Sequence, residues 1–406
     1  MVKRLRKLCD KRELSEDIKM EILHRLPSKS LARFKCVSRS WRKYISDSSL
    51  SYSCRSRRWR PQPELIGIFY QTRKLSKIGF FSESKESSLK NIDLDESVNF
   101  LNRKVYIVAS SNGFLLCTKH RRSPRVYYVY NPATRQHLAL PKTQICMENG
   151  TAVGFSCKVD DSDKDVISFT IVRYEIPRRF DKLQFSVTIE CFSSETNVWT
   201  ANNLTLDVPL RLNPFNWDGI FRSAAAAGVI DGVFCWLDQG GQITFYDSVY
   251  KCFWTLELPE EMVFGESCYL GLSGGALYFA LNCGDAITVW RLESDIRSRD
   301  AVVWVRKYDA EVAATVMQCP EAFGLGGDTL RVKAFGLTGS LSVEVRNMVI
   351  HPAVPHIFYL EVRGKVISYD LETDIAQLVY DFGEPWWKTQ HYRLFAYEWH
   401  QWPRLL

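Results

Sequence analysis

From residue 65 to the end, the chain alternates short runs of Val, Ile, Phe, Tyr and Trp with compact polar turns, and helical periodicity is almost missing. Examples are Val126–Tyr130, Ser186–Phe192, Gly232–Leu237, Gln242–Tyr246, Ala276–Leu281 and Ile287–Leu292. Runs of this kind bounded by turn residues are the mark of an all-β array. A degenerate repeat lies inside the pattern. A strand ends in an apolar or aromatic residue, a polar turn comes next, and a second strand often carries Trp or Leu. The copies are Val129-Tyr-Asn-Pro-Ala-Thr-Arg-Gln-His-Leu138, Glu190-Cys-Phe-Ser-Ser-Glu-Thr-Asn-Val-Trp199 and Thr244-Phe-Tyr-Asp-Ser-Val-Tyr-Lys-Cys-Phe-Trp254. Val289-Trp-Arg-Leu-Glu-Ser with the later Trp304, and Ile367-Ser-Tyr-Asp-Leu-Glu-Thr-Asp-Ile-Ala376, extend the series. Asn, Asp or Ser in each turn can bond its own backbone and fix the hairpin.

Such units must bury two apolar faces each, and a closed ring of them also removes most exposed edges. At roughly 45–50 residues per blade, the region has room for a β-propeller of six or seven blades. A pair of β-sandwiches is the rival architecture.

The first sixty residues are a different kind of sequence. They hold 18 Lys+Arg against 6 Asp+Glu, a net of +12 (18 − 6). The whole chain carries 53 against 46, so the other residues hold 35 against 40, a net of −5. Ile18, Ile22 and Leu26 recur at the spacing of one helix face, widened by Met20 and Leu23. Ser15 is placed to cap that helix, with Glu16 and Asp17 in the first turn, and Pro27 ends it. Ser28 heads a second helical segment with Leu31, Phe34 and Val37, and Ser38 a third with Trp41, Tyr44 and Ile45. So small a unit buries little, and its apolar stripes are core or partner surface. A basic three-helix unit could also read DNA, and charge alone does not separate these uses.

The run Leu14-Ser-Glu-Asp-Ile-Lys-Met-Glu-Ile-Leu-His-Arg-Leu-Pro27, then Lys29-Ser-Leu-Ala-Arg-Phe-Lys-Cys-Val-Ser-Arg-Ser-Trp41, resembles an F-box of the plant type. The resemblance implies a non-catalytic substrate-receptor subunit of an SCF-type (Skp1–cullin–F-box) E3 ubiquitin ligase. Its F-box would dock a Skp1-type adaptor and, through it, a cullin–RING ligase. Carried onto this chain, the adaptor contacts would be Leu14, Ile18, Ile22, Leu26, Pro27, Leu31, Val37 and Trp41. The chain departs from the family at the opening, where Leu14-Ser15 replaces the usual Leu-Pro. Gly113-Phe-Leu-Leu-Cys, Tyr130-Asn-Pro-Ala-Thr, Leu138-Ala-Leu-Pro141 and Gly271-Leu-Ser-Gly-Gly-Ala-Leu-Tyr278 look like the F-box-associated, kelch-like region of plant F-box proteins. That likeness implies a domain recruiting a protein target. The alternative function is a basic helical nucleic-acid-binding module fused to a propeller.

The expected organisation is a basic tail (1–13), an F-box (14–51), a linker (52–64) and the propeller (65–406). Two aromatic, turn-rich segments stand out, as target-binding loops or as aromatic seals and closure strands of the propeller: 210–222, with Phe215 and Trp217, and 384–393, with Trp386 and Trp387.

Chemical motifs are weak. Gly271-Leu-Ser-Gly-Gly275 has the spacing of a nucleophile elbow, but Ala276–Leu281 reads as a strand where an elbow needs a helix. Cys117-Thr-Lys-His120 and the His351, His356 pair lack partner ligands at zinc spacing, so no metal or cofactor is expected. The 12 cysteines form no Cys-x-x-Cys, consistent with reduced thiols in an intracellular protein of cytoplasm or nucleus.

Overall fold

The computed structural model describes residues 15–25, 38–46, 64–72, 78–82, 105–120, 124–132, 135–147, 151–159, 167–176, 184–210, 228–237, 242–259, 267–283, 286–298, 302–311, 345–362, 364–383 and 392–399. It divides into an N-terminal unit and a β-unit, beginning at Pro61.

Within the N-terminal unit, α1 spans Glu16–Arg25 and α2 spans Arg39–Ser46. Of the three expected caps, Ser28 lies outside the described residues and the other two are formed. Ser15 Oγ accepts the Ile18 N–H at 3.4 Å, and Ser38 Oγ accepts the Trp41 N–H at 3.1 Å. Tyr44 of α2 donates its hydroxyl to Glu16 of α1 at 2.7 Å, pinning the two helices together. The expected middle helix (Leu31, Phe34, Val37) lies outside the described residues.

The β-unit is a six-bladed propeller. The closing blade begins with β1 (Glu64–Thr72) and β2 (Ile78–Phe81). Blade one is β3 (Tyr106–Ser111), β4 (Phe114–Thr118), β5 (Tyr127–Asn131) and β6 (Gln136–Ala139); blade two is β7 (Thr151–Val159), β8 (Ile167–Glu175), β9 (Gln184–Ser193) and β10 (Val198–Leu210). Blade three is β11 (Gly228–Ile230), β12 (Val233–Leu237), β13 (Gln242–Asp247) and β14 (Cys252–Glu257). Blade four is β15 (Ser267–Ser273), β16 (Ala276–Cys283), β17 (Ala286–Leu292) and β18 (Trp304–Glu311). Blade five is β19 (Val345–Ile350), β20 (Ile357–Val362), β21 (Lys365–Asp370) and β22 (Ile375–Asp381), and the last strand is β23 (Tyr392–Trp399). Each of the five blades is an antiparallel meander, and β23 returns to pair with β1 in the order β2-β1-β23.

The innermost strands β23, β3, β7, β11, β15 and β19 touch in succession and back to β23. Six apolar clusters fill the six gaps between neighbouring blades. Hence β4, β5 and β13 are buried along their whole length, while the outermost β6 and β18 are largely exposed. Continuous apolar runs are what strands covered on both faces require. The rival β-sandwich pair is not what forms. Among the described residues there is no seventh blade, because the innermost strands of six already meet as a closed ring.

Two turn designs recur. First-to-second-strand hairpins close on Asn112-Gly113, Asp231-Gly232 and Gly274-Gly275, all at positive φ, the two-residue turn whose twist suits a hairpin. Third-to-fourth-strand hairpins are the repeat spelled out in the sequence. Arg135, Asn197 and Lys251 sit at positive φ and donate back to the carbonyls of Asn131, Ser193 and Asp247 at 2.8–2.9 Å; Asp374 holds the same φ in blade five. The Trp of the repeat faces an aromatic across the hairpin: Trp199 opposite Phe192, and Trp254 stacked on Phe245 at 5.3 Å.

Closure rests on Tyr397 of β23. It is fully buried, packs edge-on against Phe69 of β1 at 5.1 Å, and donates its hydroxyl to Gly113 O of blade one at 3.1 Å. A fully buried ion pair braces blade two. Arg173 Nε meets Glu190 Oε2 at 2.8 Å, and its other nitrogens donate to the carbonyls of Pro124 and Ile145. Glu190 Oε1 in turn accepts the Gln144 N–H at 2.6 Å, tying the blade one–two connection to the sheet.

Tyr397→Ala is expected to destabilise the protein by about 3–5 kcal/mol, and Tyr397→Phe by about 1 kcal/mol, read from urea unfolding of the β-unit. Arg173→Met alone should cost about 3–5 kcal/mol, because it strands a buried carboxylate, whereas adding Glu190→Leu should recover much of that loss in the same measurement.

Candidate docking surfaces

Helix α1 carries apolar residues on two sides. Leu23 is fully buried, while Ile18 and Ile22, one turn apart, are 50% and 37% exposed. The sequence suggests one widened apolar face; the helix instead separates an inward Leu23 from an outward Ile18/Ile22 pair, because a step of five residues turns well away from the starting side. Trp41 of α2 is partly buried. Of the expected adaptor contacts, Ile18, Ile22 and Trp41 are described; Leu14, Leu26, Pro27, Leu31 and Val37 lie outside the described residues. So do Phe215, Trp217, Trp386 and Trp387. The segments containing those four aromatics run from the outermost strand of one blade to the innermost strand of the next (β10 to β11 and β22 to β23), so their described ends lie at the same end of the propeller.

The opposite end presents a loop that the sequence marks as a copy of the repeat but not as a candidate surface. In the β13–β14 turn, Val249 is 64% and Tyr250 72% exposed. The equivalent tip positions are Glu195-Thr196 in blade two and Glu372-Thr373 in blade five. The Val-Tyr tip is held rigidly. Asp247 Oδ1 accepts the N–H groups of Val249 and Tyr250 at 2.8 and 3.0 Å, and its Oδ2 accepts Arg297 Nε at 2.7 Å. Arg297, from the β17–β18 connection of the next blade, also donates to Asp231 O at 2.8 Å and lies over the Tyr250 ring at 5.8 Å. Burial alone would raise the Asp247 carboxyl; the Tyr250 N–H, the Arg297 guanidinium and the Val249 N–H outweigh it and hold it below its ordinary value.

No built active site accompanies these surfaces among the described residues. Ser273 of the elbow-like motif ends β15, is succeeded by a tight turn and then β16, and donates to His351 O at 2.7 Å, so it has no nucleophile geometry. Among the described residues no three His, Cys, Asp or Glu side chains converge as a metal site, and no helix is long and apolar enough to cross a membrane.

The sequence model of a family described as "F-box protein At3g26010-like, beta-propeller" matches residues 86–389, three quarters of the chain, and the F-box domain model matches residues 12–52. The chain belongs to this F-box β-propeller family. Its relatives are Arabidopsis thaliana F-box proteins. F-box protein At5g03970 is 29% identical over 292 residues, 69% of this chain and 65% of the relative. F-box protein At5g49610 is 27% identical over 316 residues, 74% and 77% of the two chains. F-box protein At3g26010 is 25% identical over 308 residues, 70% and 66%. The chain thus spans just under two thirds of the first and third of these relatives. In this F-box protein, the α1–α2 helices lie within the F-box match, and most of the propeller lies within the other.

Two titrating groups sit beside the seam between the closing blade and blade five. Burial holds the Glu398 carboxyl, on β23 opposite Leu65, up at about 7, with Tyr269 as its neighbour. Burial and then the nearby His356 hold the His351 imidazole down at about 4. From ordinary values of 4.5 and 6.5, the signs are opposite. Glu398 contributes stability that is full below pH 4.5 and is lost as pH rises through 7; His351 contributes stability present above pH 6.5 and lost as pH falls through 4. Glu398→Gln should therefore raise the urea midpoint at pH 8 more than at pH 4.5. Equal shifts at both pH values would show that the carboxyl is not held protonated.

Proposed function

We propose that this F-box protein is the substrate-receptor subunit of an SCF-type E3 ubiquitin ligase. The observation that carries the reading is the solvent-facing Ile18/Ile22 pair on a capped helix inside the F-box match. Large aliphatic side chains left in water one turn apart are what a helix offers when its cover is another protein. The full contact set in this reading is Leu14, Ile18, Ile22, Leu26, Pro27, Leu31, Val37 and Trp41, occupied by a Skp1-type adaptor. The surrounding +12 charge favours an adaptor with an acidic surface and speeds their encounter.

The propeller, from about residue 65 onward, holds the target protein. In this reading the target-contacting residues are Phe215, Trp217, Trp386 and Trp387, on connections that emerge at one end of the blades. The propeller performs no bond chemistry of its own. It raises the effective concentration of target beside the ubiquitin-charged enzyme that the adaptor and cullin bring, and positioning of this kind is its whole catalytic contribution.

The test is co-purification with a Skp1-type adaptor. Ile18→Asp with Ile22→Asp should weaken adaptor binding by at least about tenfold, since each buries a charge in an apolar contact, while the β-unit's urea unfolding stays unchanged. Undiminished adaptor binding by that double variant would remove the basis of the reading.

A further inference from the structure

A cavity of about 280 Å³ opens at the seam where the closing blade meets blade five. Its walls come from both partners: Ile66 and Ile68 of β1, Phe81 of β2 and Ser82 just after it, with His351 and Tyr359 from blade five. The volume is close to the lower end of the range of small-molecule sites, roughly 300–1,000 Å³, and the wall sets apolar side chains among polar atoms that make up nearly half of its exposed surface.

The polar groups are placed with care. His351 is held from three sides. Its carbonyl accepts the Ser273 hydroxyl at 2.7 Å, and its ring lies near-parallel to Tyr359 at 6.5 Å. Its Nδ1 accepts the backbone N–H groups of Ala353 and Val354, both at 3.1 Å. Two donors on Nδ1 leave the ring neutral with its proton on Nε2. Protonating Nδ1 would forfeit both bonds, in keeping with the lowered pKa of this imidazole. Nε2–H makes no hydrogen bond among the described residues, and the Ser82 hydroxyl makes none either. A chamber of mixed apolar and polar wall therefore carries one fixed neutral donor and one adaptable hydroxyl.

The geometry points to a ligand site at this seam for a compact, uncharged, amphipathic molecule with one hydrogen-bond acceptor, its oxygen on His351 Nε2–H and its body against Ile66, Ile68 and Phe81. An anion is not the fit, because among the described residues no cationic side chain lines the chamber. An occupant would touch strands from both ends of the ring closure, so binding would tighten the closure and raise thermal stability. The inference stands apart from the ubiquitin-ligase reading and is tested without the adaptor.

Acetophenone is the probe, with propylbenzene as the analogue lacking an acceptor and benzoate as the anion, each titrated into the full chain. Thermal unfolding and the imidazole nitrogen resonances of His351 are monitored. Acetophenone should raise Tm saturably and shift the Nε2 resonance, with propylbenzene and benzoate weaker. Ser82→Phe, which plugs the chamber from its edge, should weaken acetophenone at least about tenfold. His351→Asn keeps an acceptor for the Ala353 and Val354 N–H groups but its amide N–H groups stop short of the Nε2 position, and should weaken acetophenone while leaving propylbenzene unchanged. Each variant's own unfolding curve shows that it folds. Acetophenone without a saturable effect, or with one that survives both variants, would overturn the site; propylbenzene binding as tightly as acetophenone would overturn the hydrogen-bond assignment.

Discussion

Everything in the β-unit depends on one noncovalent junction, the pairing of β23 with β1. A blade in the middle of a row has a neighbour on each side; the blades at the ends of a row would each leave an apolar face in water. Closing the row into a ring removes both faces at once, and pairing Glu64 to Thr72 with Trp399 to Tyr392 is what closes it. The two ends of a long segment must meet before that pairing returns any free energy, and the entropy of joining them grows only slowly with length. The junction is accordingly rich in aromatic contact: Phe69, Phe80 and Tyr397 form one cluster, and Tyr70, Phe81, Tyr380 and Phe382 another across the seam with blade five. Gly67 belongs to the same design. It lies at a bulge in β1, where a Cβ would fall 2.3 Å from Phe81 O and 2.4 Å from the Phe80 ring, so only glycine lets the strand pass.

Away from the junction, the blades are set by local rules that are legible in sequence. Ser193, Asp247 and Asp370 each open a four-residue turn, and the polar side chain that marks the repeat accepts a backbone N–H of that turn in the structure. Strands such as Tyr127–Asn131 announce themselves because both faces are covered and almost every residue must be apolar. Outermost strands are harder to read: β6 and β18 are exposed and carry little hydrophobic signal.

What sequence reading misses is nonlocal by nature. Arg173 and Glu190 look like surface charges, and only the fold shows that their strand positions face a neighbouring connection with every polar atom engaged. The β1–β23 pairing leaves no local mark, since neither strand differs in composition from its neighbours. At the N-terminal helix, periodicity identifies the apolar positions but not that Leu23 turns in while Ile18 and Ile22 turn out. The Val249-Tyr250 tip carries a readable signal, an apolar pair where blades two and five place Glu-Thr, though its meaning depends on Arg297 arriving from the next blade. His351 and His356 are unconvincing as metal ligands; the structure gives His351 another occupation, accepting its own loop's N–H groups.

The two seams flanking the closing blade are not equivalent, and the difference places the soft point of the ring. Toward blade one, Tyr397 and Leu115 are fully buried and the Tyr397–Gly113 hydrogen bond ties the blades directly. Toward blade five, the same blade meets a chamber, a neutral imidazole and a carboxyl beside Tyr269 whose uncharged form is favoured. Raising the pH charges Glu398 and lowering it charges His351, so each direction puts an uncompensated charge beside this seam. Blade five's side is thus where solvent conditions or an occupant act on closure with the greatest leverage.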